Sequence, residues 1–296
     1  MNILRSVIPF LAAAGMLTLA ACGGGGYGGN SGGGNNPPPP PPTGGITRTG
    51  AAVAIGPVTG FGSIIVNGVH YDTGNTTFSD DGTPIQESEI KVGDVVLVQG
   101  TIDDDNSNAA AESVSVEDTV EGPVTSIDAV TGSFVVLGQT VQISATTSAD
   151  DNCNLTGSLD DLLTFAAVEV SGPYDANNAV QATRYECKTA QDIANDPEPF
   201  EINGVVSGLD ASTGVFMING LAVDFGTLPA VLDNDFPGGA ISDGDPVQAK
   251  GATFDDSSQP PLLTASRIDY KGDDFAGNAG DHIEIEGFIT RFVDAT

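Results

Sequence analysis

One stretch recurs along the chain and constrains its fold more than any other feature. It is most complete at 122–138, where it reads Gly-Pro-Val-Thr-Ser-Ile-Asp-Ala-Val-Thr-Gly-Ser-Phe-Val-Val-Leu-Gly. A near copy spans 204–220, a shorter copy spans 56–68, and a fourth begins at Gly287. The leading glycines are 66, 82 and 83 residues apart. Intervals of this size indicate small domains, since the elements of a solenoid are much shorter.

Each copy begins with strands joined by tight turns. The first two strands of a copy, such as 120–127 and 134–137, flank an Asp-Ala-x-Thr-Gly sequence. Asp opens turns and Gly supplies a positive φ, so this sequence predicts a turn. Asn67-Gly68 and Asn219-Gly220 predict type I′ hairpins that lead into a third strand.

A fourth strand in each copy shows an alternating pattern that ends at a glycine. Aligned on that glycine, two columns are apolar: Val96, Val168 and Val247, then Val98, Val170 and Ala249. The column between them is mostly polar: Leu97, Glu169 and Gln248. A fifth strand places Val114, Tyr185 and Ile268 inward and Ser113, Arg184 and Arg267 outward. This period of two predicts one face in the core and one face in water.

Five short antiparallel strands per copy predict an all-β chain of tandem small antiparallel barrels. The oligonucleotide/oligosaccharide-binding (OB) barrel is the first choice, and a small sandwich is the alternative. The predicted units are 53–119, 120–190 and 199–272, followed by a truncated fourth unit at 282–296. Because 283–293 would lack its partner strands, we expect it to be poorly ordered or to pair opportunistically.

The first 21 residues read as a secretory signal. Arg5 precedes an apolar run at 7–21 that is too short for a comfortable membrane span. The run ends in Leu-Ala-Ala-Cys22, which resembles the bacterial lipobox. The resemblance implies cleavage before Cys22, a lipid on its thiol and an outer-membrane location. The alternative is an ordinary cleaved signal with an incidental cysteine.

The segment 22–52 is predicted to be a lipidated cysteine followed by a disordered linker. It holds glycine runs and six consecutive prolines at 37–42, a composition that cannot bury apolar area. It would act as a tether between a lipid bilayer and the folded units.

The net charge of −31 limits the partners of the chain. Such an acidic surface repels phosphate backbones, so nucleic acid is excluded as a partner, and a glycan or an envelope protein is favoured. Acidic clusters could supply oxygen ligands to Ca²⁺. They occur at 80–81, 103–105, 150–151, 160–161 and 273–274. None matches a twelve-residue calcium loop, and solvated acidic loops are the alternative.

Few residues suggest chemistry. Cys153 and Cys187 fall in the same unit and in an oxidising compartment, which favours a disulfide, with a buried free thiol or a reactive pair as alternatives. His70 is expected on a strand surface, and neither it nor His282 has metal-ligand spacing. No nucleophile elbow is present. We therefore predict no catalytic residues, no metal site and no cofactor.

The chain resembles bacterial lipoproteins that carry tandem copies of domain of unknown function 5666. The residues that carry the resemblance are the Gly-Pro/Val-Val-Thr/Ser starts, the Asp-Ala-x-Thr-Gly-x-Phe stretch, the Asn-Gly hairpin and Gly-Asp-x-Val. It covers about 53–272 and implies a compact β-barrel unit and an envelope location, with no catalytic residues to carry over.

These observations favour an envelope-anchored lipoprotein of β-barrel units that binds or scaffolds, with a glycan as a more plausible ligand than nucleic acid. One alternative is a secreted hydrolase with paired carboxylates. Variation of the acidic positions between units argues against it. A structural stalk or a calcium-loaded surface module is the other alternative.

Overall fold

The computed structural model describes residues 49–103, 108–153, 155, 157–227, 230–272 and 282–285. The prediction of an all-β fold is confirmed within these ranges. The strands of unit one are β1 Thr49–Gly60, β2 Ile64–Val66, β3 Val69–Asp72, β4 Thr77–Asp80, β5 Thr83–Pro84, β6 Val95–Asp103 and β7 Ala109–Val116.

Units two and three repeat this strand order with short additions. Unit two has β8 Val120–Gly122, β9 Val124–Asp128, β10 Ser133–Val136, β11 Gln139–Gln142, β12 Ser148–Ala149, β13 Ala167–Ser171, β14 Val180–Gln181 and β15 Arg184–Lys188. Unit three has β16 Phe200–Val205, β17 Ser207–Asp210, β18 Val215–Ile218, β19 Leu221–Asp224, β20 Val231–Leu232, β21 Pro246–Gly251, β22 Thr253–Asp255, β23 Leu262–Thr264 and β24 Arg267–Tyr270. A last strand, β25, spans His282–Ile285.

Helical structure is short wherever the structure describes it. The α-helix α1 spans Ala190–Asn195 between units two and three, and Thr189 and Asp192 form its capping box. Three 3₁₀ turns cover Glu87–Glu89, Leu159–Thr164 and Pro237–Gly239. The turn at Leu159–Thr164 precedes β13, so the apolar run there divides between a helical turn and a strand.

Five strands of unit one close into a barrel. β1 pairs with β2, β2 with β3, β3 runs parallel to β7, β7 pairs with β6, and β6 returns to β1. Units two and three have the same order of strand pairings around the barrel. In both units, the first and the last barrel strands are each divided into two shorter strands. The prediction of five barrel strands is confirmed for unit one, and additional short strands, such as β4 and β5, fall in the variable stretches.

The leading glycines of the repeat mark a close approach of two strands. A Cβ at Gly56 would lie 2.2 Å from the side chain of Asn67, and one at Gly204 would lie 2.4 Å from that of Ile218. The glycine that ends each fourth strand has a similar role, since a Cβ at Gly251 would lie 2.2 Å from the carbonyl oxygen of Thr264. Steric exclusion therefore accounts for the leading glycine of the motif and for the glycine that ends the fourth strand.

The apolar columns of the fourth strand face the cores as predicted. Val96, Val168 and Val247 are at most 1% exposed. The expectation that the alternate column faces water was wrong, because Leu97 and Gln248 are buried as well. Arg184 on the fifth strand is also buried. These side chains point away from their own barrel and are covered by neighbouring units.

The apolar cores of the three units are not all separate from one another. Unit one has its own apolar cluster, but those of units two and three are contiguous. The cause is the antiparallel pairing of β8 with β16, which aligns Val120 with Ile202 and joins both units into one eight-stranded sheet.

The segment at the start of the predicted fourth unit pairs with unit one. β25 runs parallel to β1, with His282 aligned to Ala52 and Ile285 to Ile55. Residues 286–296 lie outside the described residues.

Candidate functional site

A ladder of charged residues crosses the shared sheet of units two and three. Strand pairing aligns six positions side by side, in the order Glu186, Glu169, Glu121, Glu201, Lys250 and Arg267. Four adjacent positions are therefore glutamates, and like charges directly opposite one another are destabilising. We call this row the charged ladder.

Unit one covers part of the charged ladder with its β4–β5 turn. Lys250 Nζ lies 2.8 Å from Glu201 Oε2 and also forms an ion pair with Asp81 of that turn. Gln248 Nε2 donates to Asp81 Oδ1 at 2.8 Å and also to Glu201. The side chain of Glu201 is only 4% exposed. Units one and three thus meet through two carboxylates that share one ammonium group.

A second set of polar contacts joins units one and two. Arg184 Nε lies 2.8 Å from Asp94 Oδ1 of unit one, and the same guanidinium forms an ion pair with Asp150. Thr183 Oγ1 donates to the carbonyl oxygen of Gly93 at 2.6 Å. Within unit two, Lys188 Nζ lies 2.7 Å from Glu169 Oε2 on the ladder.

Burial and mutual repulsion raise the pKa values of several carboxyl groups at this junction. Burial, followed by repulsion from Asp81, raises the pKa of Glu201 to about 8. Burial, followed by repulsion from Glu169, raises the pKa of Glu121 to about 9 and that of Asp80 to about 7. Burial opposes the ionisation of Asp81, yet Lys250 holds its pKa below the ordinary value.

The polar cavity at this junction has a volume of about 300 Å³, and its lining includes Asp80, Asp94, Glu169 and Lys188. Its carboxylates Asp94 and Glu169 are ion-paired with Arg184 and Lys188. Among the described residues, no group of three or more His, Cys, Asp or Glu side chains is arranged to hold a metal ion. The packing of the three units buries these carboxyl groups close to one another, which gives the raised pKa values a structural cause.

An apolar groove lies where all three units meet. We call it the junction groove, and its volume is about 330 Å³. The residues that line it are Ile55, Gly56, Pro57, Val95, Leu97, Glu117, Asp118, Thr119, Gly172, Pro173, Tyr174, Asn203, Gly204, Val205, Pro246, Val247 and Lys271. Val205 is 53% exposed there.

A larger, polar groove belongs to unit one alone. We call it the polar groove, and its volume is about 730 Å³. The residues that line it are Gly62, Ser63, His70, Asp72, Thr73, Asn75, Thr101, Asp103, Asn108, Ala109, Ala110 and Ala111. His70 and Asp72 project from the same face of β3, where both are exposed. Ser63 Oγ lies 3.3 Å from His70 Nδ1.

The structure joins Cys153 to Cys187 in a disulfide with a Cα–Cα distance of 5.1 Å. This bond attaches the loop before the Leu159–Thr164 turn to β15. Cys22, the predicted lipidation site, lies outside the described residues, so lipidation remains a prediction. No helix in the described part of the chain is both long and apolar enough to span a membrane.

Sequence reasoning missed the residues that hold the units together. Arg184 and Gln248 were assigned to solvent-facing columns, and Lys250 and Glu201 were not singled out. The scarcity of cationic residues was one sequence signal that could have identified these contacts. The whole chain has only 9 Lys and Arg residues against 40 Asp and Glu residues, so each cation within the folded units is a candidate partner for a carboxylate. Arg184, Lys188 and Lys250 all lie at the junction.

Comparison with known proteins agrees with the repeat seen in the strand pairings. No curated protein matches the chain. The family described as Domain of unknown function (DUF5666) matches twice, at residues 54–112 and 121–186. The two matches fall in units one and two. The chain therefore carries two DUF5666 matches in tandem, at residues 54–112 and 121–186.

Proposed function

We propose that the chain is an envelope lipoprotein whose folded units are held off the outer membrane by a tether and bind an oligosaccharide in the polar groove of unit one. The lipid would be attached to Cys22, and the glycine- and proline-rich segment would act as the tether. Catalysis is not part of this proposal.

The position of the polar groove carries the proposal. Ser63 belongs to the turn between β1 and β2, His70 lies on β3, and Asn108 precedes β7 in the connection from β6. Counting only the five barrel strands, Ser63 lies in the connection between the first and second strands, His70 lies on the third strand, and Asn108 lies in the connection between the fourth and fifth strands. OB barrels bind oligosaccharides on the face of their second and third strands, between these same two loops.

The chemistry of the groove supports a sugar over other ligands. Hydroxyl, imidazole, amide and carboxylate groups supply both donors and acceptors, which suits the hydroxyls of a sugar. The floor of small residues at 109–111 leaves room for a ring, and the volume of about 730 Å³ is within the range of small-molecule sites. The net charge of −31 disfavours polyphosphates.

The histidine of the polar groove is specific to unit one. In the repeat alignment, the position of His70 is taken by Thr140 in unit two and by Ala222 in unit three. Units two and three would therefore support and orient unit one rather than bind the same ligand.

Titration with soluble peptidoglycan fragments and with neutral maltooligosaccharides tests the binding. We expect saturable binding of one probe class, weakened about tenfold or more in His70→Ala and Asp72→Asn, as for lost hydrogen bonds to polar or charged groups. Thr140→Ala is the matched control and should bind as the parent does. Binding of neither probe class, or equal affinity in His70→Ala, would contradict the proposal.

Fractionation of cells tests the anchor separately. Cys22→Ala should leave the membrane fraction because it lacks the thiol that receives the lipid. Membrane retention equal to the parent would contradict the anchor without bearing on the groove.

A further inference from the structure

Unit one is joined to its neighbours differently from the way in which units two and three are joined to each other. Units two and three share a sheet, through the pairing of β8 with β16, and a contiguous apolar core. Within the described ranges, no strand of 49–116 pairs with a strand of unit two or three, and the apolar cluster of unit one is separate. Bodies joined mainly by polar contacts are expected to move relative to one another.

The connection between units one and two has the form of a hinge. The backbone N–H of Glu117 donates to the carbonyl oxygen of Val95 in unit one at 2.9 Å. The N–H of Thr119 donates to the carbonyl oxygen of Val170 in unit two at 2.8 Å. The chain therefore passes from one body to the other at Glu117 and Asp118.

Two further features allow a rotation at this hinge. Lys271 Nζ lies 2.8 Å from Glu117 Oε2, beside the hinge itself, where a rotation displaces atoms least. β25 is paired with β1 and would move with unit one. The nine residues before it, 273–281, lie outside the described residues and could span about 30 Å when extended.

Polar contacts across the boundary hold unit one in place. Asp81 forms an ion pair with Lys250 and accepts a hydrogen bond from Gln248 Nε2 at 2.8 Å. Asp94 Oδ1 lies 2.8 Å from Arg184 Nε, and a guanidinium keeps its charge at any pH near neutrality. Only the first contact has a buried carboxyl group of a third residue beneath it, which is Glu201.

Glu201 makes the contact between units one and three dependent on pH. Its side chain is 4% exposed, and Lys250 Nζ lies 2.8 Å from its Oε2. The carboxyl groups that face it are those of Asp81, of Glu121 on β8 and of Asp118 at the hinge. Burial, followed by repulsion from Asp81, raises the pKa of Glu201 to about 8. A departure of unit one returns this carboxyl group to water, so docking weakens up to about tenfold per pH unit between pH 4.5 and about pH 8.

We propose that unit one is released from units two and three as a folded body, turning about Glu117 and Asp118, when Glu201 loses its proton. Release exposes the charged ladder and the walls of the junction groove to water. It also frees the polar groove of unit one from its fixed orientation. The proposal is independent of ligand binding in that groove.

The distance between two spin labels tests the release. In a Cys22→Ala chain the other two cysteines, Cys153 and Cys187, are joined to each other. Labels can then be attached at Asn75→Cys in unit one and Val130→Cys in unit two, both at exposed positions. We expect a longer and broader distance distribution at pH 9 than at pH 6, reversed on return to pH 6, with unchanged far-UV circular dichroism. The same distribution at both pH values, or a change accompanied by loss of the β-sheet signal, would overturn the proposal.

Substitutions connect the release to Glu201. Glu201→Gln has no proton to lose and should keep the pH 6 distribution at pH 9. Gln248→Glu adds a carboxyl group beside Asp81 and Glu201 and should move the release to lower pH. Glu112→Gln, at an exposed position on β7, is the matched control and should behave as the parent does. Release of Glu201→Gln at the same pH as the parent would refute the proposal.

Discussion

Replacing Glu201 by Gln should stabilise the protein at alkaline pH and have little effect at acidic pH. Glu201 has Glu121 beside it on β8 and Lys250 beside it on β21. Asp81 faces it from unit one and shares the ammonium of Lys250. Gln248 and Asn203 donate hydrogen bonds to it. A glutamine is neutral and keeps an oxygen that can accept these hydrogen bonds.

The magnitude follows from proton linkage. The pKa of Glu201 rises from 4.5 to about 8 in the folded state, first because of burial and then because of Asp81. The folded state therefore binds this proton more tightly than the unfolded state does, and stability falls as pH rises. The fall begins above pH 4.5 and is complete above about pH 8. At about 1.4 kcal/mol per tenfold change in an equilibrium constant, the loss is roughly 5 kcal/mol.

Urea unfolding at pH 4.5 and pH 9, followed by circular dichroism, measures this difference. We expect Glu201→Gln to match the parent at the lower pH and to exceed it by several kcal/mol at the higher pH. Glu112→Gln, at an exposed position on β7, is the control and should follow the parent at both pH values. A Glu201→Gln variant that is less stable than the parent at pH 9 would refute the reasoning.

Three further outcomes follow from the packing. At pH 9, where Glu201 is ionised as well as Asp81, Lys250→Met leaves both carboxylates without their cation and should lose about 3–5 kcal/mol of unfolding free energy; retention of the parent stability would contradict this. Replacing Cys153 and Cys187 together by Ser opens a loop with a separation of 34 residues and should cost about 4 kcal/mol in the loop-entropy treatment, measured as a lower urea midpoint. Gly251→Ala would place its Cβ 2.2 Å from a backbone oxygen and should cost about 1–3 kcal/mol. Gly60→Ala, where the nearest atom is a side-chain methyl at 3.2 Å, should cost less in the same assay.

The sequence was sufficient to predict the strands because their signals are local. The Asn-Gly pair at 67–68 has positive φ at both positions, as the hairpin prediction requires. The alternating valines of the fourth strand, such as Val96 and Val98, face the core of unit one. Each of these features depends on neighbours that are only a few residues away in the chain.

The arrangement of the units was beyond the same reasoning because it depends on polar residues. A rule that assigns polar positions to solvent cannot distinguish Arg267, which is exposed, from Arg184, which is buried against Asp94. The difference arises from the partner, which lies 90 residues earlier in the chain in the case of Arg184. The polar groove was missed for a related reason, since its walls come from connections that are distant in sequence.

The charged ladder indicates how the units select one arrangement. Adjacent glutamates on β8, β13 and β16 repel one another, so the shared sheet is favourable only when protons or the ammonium groups of Lys188 and Lys250 neutralise them. Buried ion pairs of this kind contribute little net stability, because desolvation offsets their attraction, but removing one partner is costly. A displaced arrangement of the units would separate Asp81 and Asp94 of unit one from Lys250 and Arg184. The ladder therefore disfavours alternative arrangements of the units more than it stabilises the observed arrangement. A single arrangement of the units would hold the polar groove of unit one in a fixed orientation relative to units two and three.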